Sequence, residues 1–539
     1  MSASSKKKLR NAEQAEKMTE KQLTEQKEAK KLKLYTTLAV VILIALVVFA
    51  AYSGISRTIV NSGIRERNTV ALTVGEHKIS NAELNYFYID VVNNFYSQYG
   101  AYASMLGLDV TQPLNQQILS EETRETWADD FLQTAIENAT DTYAIVNEAK
   151  AAGFTLPEES VAEIDNAMGT MELYASIYGY GKADNYIKAI YGQGASEKGL
   201  REYYELTELS RAYQKNYQDS LTYTDADLRA AEEENPAKFS SFTYNYYYLN
   251  AYNFIESAEE GTTEYTDEQK AEGLRNAEAA AKSLTDGITT VAAFDAAVAA
   301  LPINAENTSA ASYAMTDVSY ESIPASFAEW ISSGVHKPGD MTYTANTSTD
   351  ADGNETTTGY YVVMFGSAND NSYALANVRH ILVSFEGGSY DSTTGMTTYT
   401  DEEKAAAMEA AEAILTEWKA GAATEDSFAA LANEKSDDGD GTTGGLYEDV
   451  YPGQMVAAFE DWCFEDRQAG DTGIVETEYG CHVMYYSGDS ETTYRDYLIT
   501  SELTENAYNE WYASVTEAVT ATEGEFKYIN MDLVLSNAQ

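Results

Sequence analysis

The stretch NVRHILVSFEGG (377–388) decides how this chain is read. Its β-branched, apolar residues alternate as in a strand, and one of only four histidines, His380, stands in the middle of it. His482 occupies a similar run, GCHVMYY (480–486), about a hundred residues later. A histidine in an apolar run is ordinarily a half-buried residue with satisfied ring nitrogens. Two such runs call for a common explanation.

An internal repeat frames both. EYTDEQKAEGLRNAEAAAKSL (264–284) matches TYTDEEKAAAMEAAEAILTEW (398–418) at an offset of 134, and Phe294 falls opposite Phe428 at the same offset. Further on, FAEWISSGVHKPGD (327–340) resembles FEDWCFEDRQAGD (459–471), and GYYVVMF (359–365) resembles GCHVMYY. Two copies of one unit are therefore expected, at 236–370 and 375–489. Each reads strand, helix, short helices, then strands, an α+β unit. In the second copy Met408, Ala411, Leu415 and Trp418 form an apolar helical stripe that closes near Gly421.

The copies are flanked by helical sequence. Ahead of them, VALTV and a turn at Gly75 lead to Ser80, an N-cap with Glu83 at the third helical position. From there to about residue 235 the pattern is amphipathic and rich in tyrosine and alanine, with no catalytic cluster, so a helical domain over 57–235 is expected. After the copies, residues 490–539 offer one more helix, expected to pack back on that domain, and an apolar strand-like run, YINMDLVL.

The N-terminus has a different character. Residues 34–56 carry no charge and hold roughly 20 apolar residues, enough to cross a bilayer core of about 30 Å. Residues 1–33 carry ten Lys/Arg against five Glu, a net of +5, which keeps that tail cytoplasmic. A cleaved signal is the rival reading. It is disfavoured by the long charged segment, the length of the apolar run and the lack of an A-x-A site. The lipid bilayer is thus one expected partner, through 34–56, in a single-pass cell-membrane arrangement with the C-terminal domains extracytoplasmic. Since the whole chain carries −51, the part beyond the apolar stretch carries −56, which argues against nucleic acid and anionic surfaces as partners. Cys463 and Cys481 are the only cysteines, compatible with one bridge or two buried thiols.

The ordered elements VRHILV, FAALANEKSDD, GG, YPGQMVAAFEDWCF and GDTGIVETEYGCHV resemble the parvulin family of peptidyl-prolyl isomerases. The layout of the whole resembles the PrsA and SurA group of extracytoplasmic foldases. The resemblance implies a helical chaperone region, an isomerase acting on X–Pro bonds of unfolded or newly secreted polypeptides, and no cofactor. Its catalytic residues would be His380, Asp438, Thr477 and His482, with the two histidines on neighbouring strands. Its proline pocket would use Met455, Phe459 and Tyr447, the last at a position where the family often has Leu. One departure stands out: the family's GDLG reads GLYE at 445–448, which alters the pocket wall. The bland readings are a turn-forming Asp438 and a β-forming Thr477. A rival from another class is a holdase or peptide-binding scaffold without catalysis.

In the first copy the resemblance weakens. Tyr246 falls opposite His380, Tyr361 opposite His482, and Asn304 near Asp438, so this copy is expected to fold without catalysing. His336, in GVHKPGD, reads as a loop residue without a role. DADGNE (350–355) fails as a calcium loop, with Glu355 at position six and Tyr361 at position twelve. No spacing suits zinc, so no metal is expected.

Overall fold

The computed structural model describes residues 5–8, 10, 62–255, 265–307, 309–349, 353–391, 395–439 and 441–535. The expected membrane span, 34–56, lies outside them. Among the described residues no helix is long and apolar enough to cross a membrane. The chain divides into two compact units, Met1–Leu221 with Ala507–Gln539, and Thr222–Asn506.

The first unit is mainly helical: α1 Ile64–Asn68, α2 Asn81–Tyr99, α3 Trp127–Ala151, α4 Glu158–Ile177, α5 Ala183–Tyr191 and α6 Glu197–Ser220. A hairpin of β1 (Val70–Val74) and β2 (His77–Ser80) turns at Gly75 and runs straight into α2. The Ser80 backbone N–H donates to Glu83 Oε2 at 2.7 Å while the Glu83 N–H donates to Ser80 Oγ at 3.3 Å, a capping box that satisfies two donors at the helix start. The core joins Leu72, Ile79, Tyr88, Ile89, Phe131 and Leu200 with Ile529 and Leu535 from the far end of the chain.

The run YINMDLVL is not a strand. Two buried asparagines hold its backbone: Asn81 accepts from the Tyr528 N–H, and Asn85 accepts from the Asn530 N–H and donates to the Tyr528 carbonyl. The carbonyls of Met531 and Leu533 accept from Asn115 and Leu114. Its apolar side chains are packed as expected, but its backbone groups are satisfied by amides and loops instead of a ladder. The strand that closes this small sheet lies earlier, at Ala521–Glu523, paired with β1.

The second unit holds both copies, preceded by α7 (Asp225–Glu234). In the first copy, β3 (Ser241–Asn250), α8 (Asp267–Thr285), α9 (Val291–Ala299), β4 (Tyr313–Ser319), α10 (Ala325–Ile331), β5 (Met341–Thr349) and β6 (Glu355–Asn369) form an antiparallel sheet of order β4-β3-β6-β5. In the second, β7 (Ala374–Ser384), the small hairpin β8 (Ser389–Asp391) and β9 (Met396–Thr398), α11 (Asp401–Ala420), α12 (Glu425–Lys435), β10 (Leu446–Val450), α13 (Ala457–Phe464), β11 (Thr472–Glu476) and β12 (Gly480–Thr493) give β10-β7-β12-β11. A last helix, α14, spans Tyr494–Thr516.

Each sheet is covered on both faces. In the second copy α11 and α12 pack on one face around Ile381, Ala411, Phe428 and Val483. Against the other, α13 packs around Val378, Phe459, Trp462 and Met484. Cys481 belongs to the first cluster and Cys463 to the second, so the sheet separates two buried free thiols and no bridge forms. Burial pushes both thiols up, Cys463 to about 12, which leaves them unreactive.

Candidate active site

His380 in β7 and His482 in β12 lie on the face that α13 covers. The register sets Met484 opposite His380 and Leu382 opposite His482, so the two imidazoles are diagonal neighbours on one face. Their Nδ1 atoms are 3.0 Å apart and their rings 5.2 Å apart. Both are buried, with 3 % and 6 % exposure, so neither is the half-solvated residue that the bland reading supposes.

Asp438 is brought to the pair by the segment that follows α12. Asp437 N–H donates to the Leu382 carbonyl at 2.9 Å, Leu382 N–H to Ser436 Oγ at 3.1 Å, and Ser384 N–H to Asp437 Oδ2 at 2.8 Å. These bonds stitch SDD to β7 and set Asp438 Oδ2 3.0 Å from His380 Nε2. Ser436 and Asp437 were not singled out in the sequence; their signal was a run of capping residues just past a helix end.

Thr477 closes the other end. Its N–H donates to the Gly480 carbonyl at 2.9 Å, and its Oγ1 lies 2.8 Å from His482 Nε2. Gly480, at φ +150, has no room for a side chain: a Cβ there would stand 2.2 Å from the Val383 carbonyl oxygen. Gly445 has the same duty on the opposite flank, where a Cβ would stand 2.1 Å from the His380 carbonyl oxygen.

The order of these contacts assigns the protons. A carboxylate only accepts, so His380 donates from Nε2 to Asp438 and its Nδ1 accepts from His482 Nδ1–H. His482 Nε2 then accepts from the Thr477 hydroxyl. Burial lowers His380 from the usual imidazole range against the pull of Asp438. Burial and then the neighbouring His380 lower His482 to about 4. At neutral pH the chain is two neutral imidazoles with fixed tautomers, anchored on one carboxylate.

An apolar wall adjoins it. Phe459, buried, presents its ring edge-on to both imidazoles at 5.4 Å. The Tyr447 ring lies 5.2 Å from His380 and its hydroxyl donates to Asp438 Oδ2 at 3.0 Å. Met455 is half-buried against the same cluster. All seven residues singled out from the sequence thus lie in or beside one network.

Residues 360–487 match the family described as PPIC-type PPIASE domain. This chain carries a parvulin-type peptidyl-prolyl isomerase domain. A comparison with curated proteins gives no match. Among solved structures 15 chains match. One is the PPIase domain of TBPAR42, at 24% identity and TM-score 0.17, covering 21% of this chain and 98% of that one. PrsA from Bacillus subtilis matches at 14% and 0.24 over 84% of this chain and 91% of its own. A structure of SurA-like chaperones from Campylobacter jejuni matches at 12% and 0.14, over 56% and 82%.

Among its described residues the first copy has no such network. Tyr246 and Tyr361 occupy the places of the histidines, and Phe327, edge-on to Tyr361 at 5.5 Å, takes that of Phe459. Asn304 does not take the place of Asp438. It turns into the helix-covered face, donating to the Val298 carbonyl at 2.8 Å and to the Tyr247 hydroxyl at 3.0 Å, because Tyr247 and not Tyr246 points to that side. His336 lies in a loop, as expected, but is not fully exposed there: its ring packs 4.1 Å from that of Trp330, with Asp340 at 3.7 Å.

Proposed function

We propose that the protein is a membrane-anchored extracytoplasmic foldase whose isomerase domain turns over X–Pro bonds in unfolded or newly secreted polypeptides. The observation that carries this reading is the unbroken chain Asp438–His380–His482–Thr477 beside the Phe459 ring. Rotation about an X–Pro bond must break amide resonance, at a barrier of about 18–20 kcal/mol, and needs no covalent intermediate. A site for it has two tasks: to grip the proline ring away from water, and to favour the twisted amide over the planar one. Phe459, Met455 and the Tyr447 ring suit the first. Oriented, neutral imidazoles held by Asp438 and Thr477 suit the second, since their dipoles need no reorganisation as the amide charge redistributes.

Anchoring rests on the uncharged 34–56 stretch behind a tail of net +5. The holding role is assigned to the helical unit, where Leu173, Ile177 and Tyr178 are 56 %, 62 % and 60 % exposed along the end of α4. The first copy is folded and catalytically silent.

The test is an isomerase assay on the full chain with a proline tetrapeptide. Turnover should fall in His380→Ala and His482→Ala while the far-ultraviolet circular dichroism stays unchanged. Undiminished turnover in both folded variants would remove the catalytic assignment.

A further inference from the structure

Tyr447 stands where an apolar residue would suffice as a wall. The parvulin resemblance puts Leu there, and the matching register position of the first copy is Met315, opposite Tyr244 as Tyr447 is opposite Val378. Yet its hydroxyl reaches Asp438 Oδ2, the same oxygen that His380 Nε2 uses, both at 3.0 Å. We infer that the Tyr447 hydroxyl is a positioning group for the histidine chain: by sharing the Asp438 oxygen it weakens that carboxylate's hold on a second His380 proton and keeps the pair neutral. The inference rests on the proposed role of the pair.

A hydrogen bond donated to an anion withdraws charge from it, and the anion then favours a neighbouring cation less. Asp438 is the charged group that faces His380. The other neighbours are His482 from β12, Tyr447 from β10 and the uncharged Phe459 ring from α13. Burial and Asp438 both push Tyr447 above its ordinary value, so it remains a donor throughout the range in which the imidazoles titrate. Removing the hydroxyl while keeping the ring should therefore make His380 easier to protonate.

The experiment is a pH titration of the full chain with 15N-labelled histidines, comparing wild type with Tyr447→Phe and Tyr447→Leu, each with and without Asp438→Asn. The His380 midpoint should rise by about half to one pH unit in both Tyr447 variants, the size expected for one hydrogen bond to a charge. In the Asp438→Asn background the Tyr447 substitutions should shift nothing, because the shared anion is gone. The low-pH limb of turnover should move up with the midpoint, while Tyr447→Leu alone also raises KM through the lost ring. A midpoint unchanged or lowered in Tyr447→Phe and Tyr447→Leu overturns the inference, as does an equal rise with Asp438→Asn present. Absence of turnover in wild type would instead refute the catalytic reading, and the titration would still decide what the hydroxyl does.

Discussion

The two copies share a frame and differ on one face of it. Strand order is the same, and the register repeats: His380 pairs with Met484 as Tyr246 pairs with Val363, and His482 with Leu382 as Tyr361 with Tyr248. The helix-covered faces agree as well, with Phe428 and Phe294 both fully buried. On the opposite face Phe459 and Phe327 correspond, but the imidazoles have become phenols. Tyr246 now packs against Tyr313 at 5.4 Å and Tyr361 against Tyr248 at 4.8 Å, with Asn346 and Thr358 bonded to the Tyr248 hydroxyl. Tyrosine keeps β-propensity and bulk, so the sheet survives, but a phenol does not exchange protons near neutrality. The two copies thus share the core on one face of the sheet and differ, within a buried cluster, on the other.

That division is tested most strongly at the shared face. Phe428→Ala and Phe294→Ala should each cost about 3–5 kcal/mol in their own copy, because both remove a ring from a closed core. Hydrogen exchange read separately from β7 and β3 checks this. A substitution felt in one copy and ignored in the other would show that the cores are not equivalent.

The differing face predicts a pH dependence confined to the second copy. His482 binds its proton only near pH 4 when folded, but near 6.5 when unfolded, so between those values the unfolded chain holds more protons. Stability is therefore complete above about pH 6.5 and is lost as pH falls toward 4, by up to about 3 kcal/mol from this residue. Protection in β12 should follow that window and β6 should not. A His482→Gln variant that kept the full dependence would assign it elsewhere.

Turnover gives the third test. His380→Ala or His482→Ala should lower it tenfold or more, about 1.4 kcal/mol in the barrier, whereas Tyr246→Ala and Tyr361→Ala should leave it within about twofold. A comparable loss from the tyrosines would mean that the first copy shares in the reaction.

How much of this was legible beforehand follows from where each contact comes from. The two histidines drew notice because alternation within a strand fixes the face each one shares; that they lie on neighbouring strands came only from the parvulin resemblance. Asp438 and Thr477 came only through the order of motifs; nothing in SDDGDG says that Ser436 and Asp437 will stitch it to β7. The Tyr447 hydroxyl bond, the turn of Asn304 to the other face and the separation of the cysteines all depend on loops or on which side of a sheet a neighbour lies. YINMDLVL misled because its apolar pattern suits a strand, while the partners of its backbone, Asn81 and Asn85, lie more than four hundred residues away.

The smallest predicted effect sharpens the comparison at a loop position read from the sequence as having no role. His336 follows Trp330 as Arg467 follows Trp462, and both cap their indole. The Arg467 guanidinium lies 3.9 Å from the Trp462 ring centre and donates to the Trp462 carbonyl, while the His336 ring lies 4.1 Å from that of Trp330. Trp462 belongs to the apolar cluster of Phe459, and Trp330 packs against that of Phe327, so the capping residue braces that cluster through its indole. An arginine there adds a permanent charge over the indole and a hydrogen bond; an imidazole offers mainly ring contact and Asp340 beside it. Arg467→Ala should cost about 1–2 kcal/mol and His336→Ala about 0.5–1 kcal/mol, each read from exchange in its own copy. The exchange of residues is more telling. His336→Arg should be neutral or stabilising, since the second copy shows that a guanidinium fits over this indole, and Arg467→His should lose most of what Arg467→Ala loses. If His336→Arg destabilised the first copy as much as His336→Ala, the two brackets would be unrelated, and the correspondence between the copies would end at the sheet.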